Sequence, residues 1–327
     1  MPPVAPADFE LNANTDEFVD LLLAQQRQLN LQATTCPDTG ARLIDLGNQC
    51  AGGLEAGRCL AEICLATLGD VRIVPARAEL SSGPAVQVQT DWPLVACLAS
   101  QYAGWKLAQD KYFAMGSGPF RLAAIKEPLF AKFGWEREQA TSVVGILEAR
   151  GFPPPELIAK IAEDCQVTTP GVTLLAAPTA SLAGGVQIVA RSVETALHKL
   201  LELGFDVSKV ISGYGVSPLP PPGKDDLAAI GRTNDAILYG GEVTLYVRCE
   251  DDLLAEYGPQ TPSQASDDYG QPFQAIFERY QGDFYQIDPH LFSPAVVTFH
   301  NLATGRTFQY GKLNPAVLQE SFFGGPL

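Results

Sequence analysis

The chain has 327 residues, 46% hydrophobic and 18% charged, the balance of a folded protein long enough for two domains and a substantial core. Its 22 basic and 37 acidic side chains leave a net charge of −15, which repels phosphate backbones and anionic lipid and so excludes nucleic-acid and membrane partners from the expectation. The N-terminal stretch Met1–Asn12 has neither a basic region nor an apolar run, and no segment approaches roughly eighteen uninterrupted apolar residues, so a cytoplasmic location is expected.

Along the chain, Asn14-Thr15-Asp16-Glu17 is a capping signal ahead of Phe18, Leu21, Leu22 and Leu29, and predicts a helix over 15–30. Arg42–Leu46 reads as a strand, and Gly52-Gly53 opens a helix that buries Leu60, Ile63, Cys64 and Leu68 and ends at Gly69. Val71–Ala76 is a short strand; Ala85–Thr90 alternates with period two and stops at Asp91-Trp92-Pro93. Pro93–Lys111 reads as a mostly apolar helix carrying Gln101, Tyr102 and Trp105. Helices are also predicted over 121–133, 136–150 and 156–164, the last after the break Pro153-Pro154-Pro155.

Val172–Ala177 is a continuous apolar strand that leads into a helix over 184–200. On it Val186, Val189, Ala190, Val193, Ala196, Leu197 and Leu200 form one face and Gln187, Arg191, Glu194 and His198 the other. Ser181 or Thr179 caps this helix. An Arg and a Glu three apart on a polar face usually form a solvated ion pair worth a few tenths of a kcal/mol. The small, glycine-rich approach Pro178–Gly185 is unlike that of a solvent-facing helix, and raises the alternative of an active-site wall.

Farther on, Val207–Ser212 reads as a strand and Ser217–Gly223 as an extended connector. Lys224–Asp235 reads as a short helix and turn, followed by a hairpin of 236–239 and 242–249 around Gly240-Gly241. Glu250–Gln271, acidic and rich in Pro, Ser and Gly, is the best candidate for an exposed linker or flap. A second hairpin of 295–301 and 306–310 needs a sheet to join. The elements predict an α+β (mixed α/β) fold of two lobes of sheet plus helices with a cleft between them. Residues 1–80 with about 288–327 form one lobe and 81–287 the other.

The seven cysteines contain no C-x-x-C and the three histidines no pair at helical ligand spacing, which suggests neither a disulfide framework nor a zinc site and leaves only an all-carboxylate metal site open. Met115-Gly116-Ser117-Gly118-Pro119 and Ser212-Gly213-Tyr214-Gly215 read as glycine turns needing positive φ, and neither is a P-loop or a dinucleotide fingerprint.

Taken together, APTASLAGGVQIVARSVETALHK (177–199), GGLEAGRCLAEICLATLG (52–69), TDWPLVACLASQYAGWKL (90–107), MGSGPFRLA (115–123) and GKDDLAAIGRTNDAILYGGEV (223–243) resemble, in order, the methenyltetrahydromethanopterin cyclohydrolase family. The resemblance implies hydrolysis of a methenyl bridge in one-carbon metabolism. It implies a tetrahydromethanopterin derivative as substrate, no metal, no prosthetic group and a homotrimer. It implies Glu194 and Arg191 as the catalytic pair. Tyr102 stands where some relatives place a lysine. Gln187, Gln101, Tyr102, Ser117 and Gly118, with the polar run Arg232, Thr233, Asn234 and Asp235, are the candidates for holding the pterin by hydrogen bonds and stacking. For Arg232–Asp235 a capped turn is an equal reading. Two rivals stand beside the cyclohydrolase: another pterin-dependent one-carbon enzyme, a transferase or dehydrogenase, and a non-catalytic pterin-binding oligomer.

Overall fold

The computed structural model describes residues 6–283 and 286–324. It is an α+β fold with two mixed six-stranded sheets, and the chain divides into two compact units. Unit 1 takes the chain up to Gly69 and Val95–Gln187; unit 2 takes Asp70–Leu94 and the chain from Ile188 onward.

The sheet of unit 1 runs β1-β2-β8-β7-β6-β5, built from β1 (Gln32–Thr35), β2 (Arg42–Asp45), β5 (Trp105–Gln109), β6 (Tyr112–Ser117), β7 (Val143–Glu148) and β8 (Val172–Ala176). Its middle, β2-β8-β7, is parallel and its flanks are antiparallel. The helices are α1 (Leu11–Ala24), α2 (Leu54–Cys64), α3 (Phe120–Ala124), α4 (Pro128–Phe133), α5 (Pro155–Cys165) and α6 (Leu182–Val189), with a π-helix at Leu94–Gln101. Both sheet faces are covered. Val143 and Leu147 of β7 pack with Leu157, Ile158 and Ile161 of α5, whereas Val144 and Ile146 pack with Val19 of α1 and Leu60 and Ile63 of α2. Each such fully buried aliphatic side chain contributes about 1.5–3 kcal/mol.

That two-sided burial explains why the expected helix over 136–150 is a strand. A central parallel strand is apolar on both faces, so VVGILE shows no alternation to distinguish it from a buried helix. The helix expected over 93–111 is the π-helix followed by β5, and the one over 121–133 breaks into α3 and α4 at Ile125, whose φ is 45°. The first helix runs over 11–24 rather than 15–30: its predicted cap lies inside it, and Asn12 instead ties the N-terminus to Glu138 and Pro119.

The sheet of unit 2 runs β12-β11-β10-β9-β4-β3, built from β3 (Asp70–Pro75), β4 (Pro84–Thr90), β9 (Val210–Pro218), β10 (Glu242–Val247), β11 (Val296–Asn301) and β12 (Thr307–Gly311). It is antiparallel except for β10 beside β11. The helix α7 (Ser192–Glu202) packs on β9, β10 and β4, while α8 (Asp226–Gly240) packs with α10 (Phe273–Arg279) and α11 (Pro315–Phe323); α9 (Asp251–Tyr257) lies between β10 and α10 in the chain. The grouping of 1–80 with 288–327 is corrected here. The terminal hairpin joins β10, its nearest preceding strand in the chain, and of the first 80 residues only those from Asp70 share its sheet.

Two further expectations give way in unit 2. The hairpin around Gly240-Gly241 does not form, because α8 continues through the polar run and ends at Gly240. Residues 250–271 are not an open linker: they hold α9 and two 3₁₀ turns, with Leu254, Thr261 and Ser263 buried.

Candidate functional site

The signature stretch 177–199 is not one helix but two, α6 and α7, with turn residues Ala190 and Arg191 between them. Ser181 caps α6, its Oγ accepting the Gly184 N–H at 3.0 Å. Arg191 is the N-cap residue of α7, and its carbonyl accepts both the backbone N–H and the hydroxyl of Thr195 at 2.8 Å. The break places Glu194 in the first turn of a helix. There, free backbone N–H groups and the positive end of the helix dipole favour a carboxylate by about 0.3–1 kcal/mol.

Neither charge faces water. Arg191 is 7% exposed and Glu194 6%, which removes the solvated ion pair as an account of them. Arg191 and Glu194 occupy adjoining positions in unit 2, one at the cap and one in the first turn. His198, farther along α7, is half-buried with Nε2 3.9 Å from Glu202. Lys199 of the same helix is buried. Its ammonium donates to the His290 carbonyl at 2.6 Å, and desolvation pulls its pKa down to about 8.

What seats α7 is the motif Gly213-Tyr214-Gly215, which is extended strand in β9 and not the turn expected. A Cβ on Gly213 would lie 2.6 Å from Val193 Cγ1, and one on Gly215 2.3 Å from Ser192 Oγ. Glycine is present because the first turn of α7 rests on the strand backbone.

In unit 1 the structure brings Gln187 and Ser117 together through Cys64, with Gly118 next in the chain. Gln187 is 1% exposed; its Nε2 donates to Glu148 Oε1 at 3.2 Å and its Oε1 accepts from the Cys64 thiol at 3.6 Å. The same sulfur is 3.8 Å from the hydroxyl of buried Ser117. Gly118 follows with φ of 100°, as the glycine-turn reading of this loop expects, and its N–H donates to the Ser100 carbonyl at 2.8 Å. A Cβ there would lie 2.3 Å from Ile146 Cδ1. Gln101 is buried and Tyr102 half-buried, at the end of the π-helix. Side chains of α2, β6, β7 and α6 thus meet around the Cys64 thiol and the Gln187 amide.

The run Arg232–Asp235 is a different case. It lies within α8, not in a turn, and its side chains hold backbone. Arg232 donates to the carbonyls of Ser321, Pro221 and Pro222, Thr233 to those of Ala229 and Ile230, and Asn234 to that of Ile230. Asp235 is fully buried and accepts the Phe273 N–H at 2.8 Å at the start of α10. Burial pushes its carboxyl up to about 7.

Sequence reading passed over Cys64, Glu148, Arg121 and Glu127. Arg121 was visible as a lone charge in the apolar run Phe120–Ala124, which demands a buried partner; it pairs with Glu127 at 2.6 Å. Cys64 and Glu148 carried no local signal, since only the tertiary fold sets them against Gln187. Among the described residues no group of three or more His, Cys, Asp or Glu side chains is arranged to hold a metal ion, and no helix is long and apolar enough to cross a membrane.

Comparison with known proteins accounts for nearly the whole chain. A family profile described as Cyclohydrolase (MCH) matches residues 10–322. Methenyltetrahydromethanopterin cyclohydrolase of Rhodopirellula baltica is 49% identical over 86% of both chains. The enzyme of that name from Methylobacterium sp. is 45% identical over 95% of this chain and 97% of its own, and that of Methanococcoides burtonii 38% over 93% and 95%. The chain belongs to the methenyltetrahydromethanopterin cyclohydrolase family.

Proposed function

We propose that this protein catalyses the reversible hydrolysis of the methenyl bridge of 5,10-methenyltetrahydromethanopterin to the N5-formyl form, in one-carbon metabolism. Family membership over residues 10–322 carries this reading, and the burial of Arg191 and Glu194 in the signature stretch supports the roles given to them. The carbon attacked lies between two nitrogens of an amidinium and is already electrophilic, so the reaction needs two proton transfers but no metal and no covalent nucleophile. A base takes a proton from the incoming water, and an acid then protonates the departing nitrogen. One carboxylate performs both halves in turn, for about 10²–10⁴-fold in rate.

Glu194 is that carboxylate in our reading, and Arg191 orients it. The guanidinium also balances the glutamate's charge, since an uncompensated cation would repel the cationic substrate. Gln187, Gln101, Tyr102, Ser117 and Gly118 are assigned to the pterin. Arg232, Thr233, Asn234 and Asp235 are left out of that assignment, because the backbone groups they hold give them a structural task. A homotrimer in the cytoplasm is proposed by likeness to the family.

The test is direct. Purified protein mixed with methenyltetrahydromethanopterin, without nicotinamide or a one-carbon acceptor, is expected to bleach the methenyl absorbance catalytically. Tight binding without turnover would instead make it a pterin-binding oligomer, and turnover only with nicotinamide or an acceptor would make it a dehydrogenase or transferase.

A further inference from the structure

Arg121 is fully buried, and its guanidinium makes four hydrogen bonds within unit 1. Nε and Nη2 clamp the two oxygens of Glu127 at 2.7 and 2.6 Å, a bidentate pair. Nη1 donates to the carbonyls of Leu98 and Ser100 at 3.1 and 3.0 Å. Those carbonyls belong to the last turn of the π-helix, where the helix itself supplies no partner. The plane of the cation also lies 5.2 Å from the ring centroid of Tyr102, the first residue beyond that helix.

An eight-residue π-helix is rare, and such wide turns concentrate at functional sites. It closes through the Tyr102 N–H on the Cys97 carbonyl at 2.8 Å and ends in Gln101 and Tyr102. The Gly118 N–H also holds the Ser100 carbonyl, but Arg121 alone spans the Leu98 and Ser100 carbonyls together; without that span the turn is freer to relax toward ordinary helical pitch, which would rotate both side chains.

We propose that Arg121, held by Glu127, is a positioning residue for substrate binding: it fixes the wide last turn so that Gln101 and Tyr102 present their polar groups to the pterin in one orientation. This rests on the reading that those two residues touch the substrate. Arg121 itself touches neither substrate nor reacting atoms, so its loss raises KM and leaves the chemical step alone.

Steady-state kinetics with methenyltetrahydromethanopterin on Arg121→Lys, together with thermal unfolding, tests it. Lysine keeps the charge but cannot serve both carbonyls and both carboxylate oxygens at once. Because an unmatched buried charge endangers folding, the double variant Arg121→Met with Glu127→Met removes both charges together. Both are expected to raise KM about tenfold or more with kcat within about twofold of wild type. A lower melting temperature with unchanged KM in either folded variant, or a fall in kcat at constant KM, overturns the proposal. Gln101→Ala and Tyr102→Ala are run in parallel. If they raise KM and the Arg121 variants do not, the positioning role alone is wrong. If they too leave KM unchanged, the assignment of Gln101 and Tyr102 to the substrate falls, and the positioning role with it.

Discussion

The stretches 187–198 and 232–235 look alike in sequence, each a run of Arg, acid and amide groups beside glycine, yet they sit in opposite circumstances. In α8 the polar atoms are consumed by backbone: the guanidinium of Arg232 reaches three carbonyls, and Asp235 receives the first N–H of α10. At the head of α7 two opposite charges are buried one turn apart, at a helix end that favours the carboxylate. Residue type and spacing therefore do not separate a run bound to backbone from a pair of charges buried at a helix start. What differs is where each run falls: inside a helix whose neighbouring segments and preceding turn offer backbone groups to every side chain of the run, or at a helix start.

The sharpest way to break that contrast is Glu194→Gln, which keeps size and hydrogen bonding but removes the base. Hydrolysis is expected to fall about 10²-fold or more, with the circular dichroism spectrum unchanged. Activity near wild type would take Glu194 out of the mechanism and put 187–198 on the same footing as 232–235. Gly213→Ala comes next. Its methyl would meet Val193 at 2.6 Å and lift the first turn of α7 off β9, so kcat should drop about tenfold while the melting temperature moves by only a few degrees. A loss of stability without loss of kcat would show that the seat of α7 does not set the position of Glu194.

Arg232→Ala is expected to act the other way round, lowering stability by about 2 kcal/mol through its lost carbonyl contacts and leaving kcat and KM as they are. A raised KM would return Arg232 to the pterin. The prediction with no expected effect on activity at any pH concerns Asp235. Its folded-state pKa is raised from 3.8 to about 7, so the folded protein binds a proton that the unfolded chain has already lost. Stability from this group is present below pH 4 and declines as pH rises from about 4 through about 7. Asp235→Asn should therefore melt higher relative to wild type at pH 8 than at pH 4, with unchanged activity; a gap independent of pH would contradict the buried neutral acid.

Much of unit 2's sheet was legible because its strands alternate or end in turn signals: 71–76, 85–90, 295–301 and 306–310 lie within a residue or two of β3, β4, β11 and β12. Unit 1 was harder. The double-sided burial of β7 erased the period that distinguishes strand from helix, and nothing in Leu94–Gln101 marks a π-helix, since its residues suit any buried helix. In the candidate site, Arg191 and Glu194 stood out by family resemblance, and their burial could not be read from a pattern that predicted one continuous helix. Cys64 and Glu148 were invisible because their significance lies in meeting Gln187 across more than one element.

The strand order has a consequence for synthesis on the ribosome. The sheet of unit 1 has all its strands once residue 176 has emerged, so this half can close early. The hairpin of β3 and β4 is made early too, but the next neighbour of β4 begins at Val210 and the sheet ends on residues 307–311. Until Val210–Pro218 emerges, β4 carries an open edge, ready to pair with whatever strand is near. Of the two units, this is the one whose sheet stays incomplete longest as the chain is made.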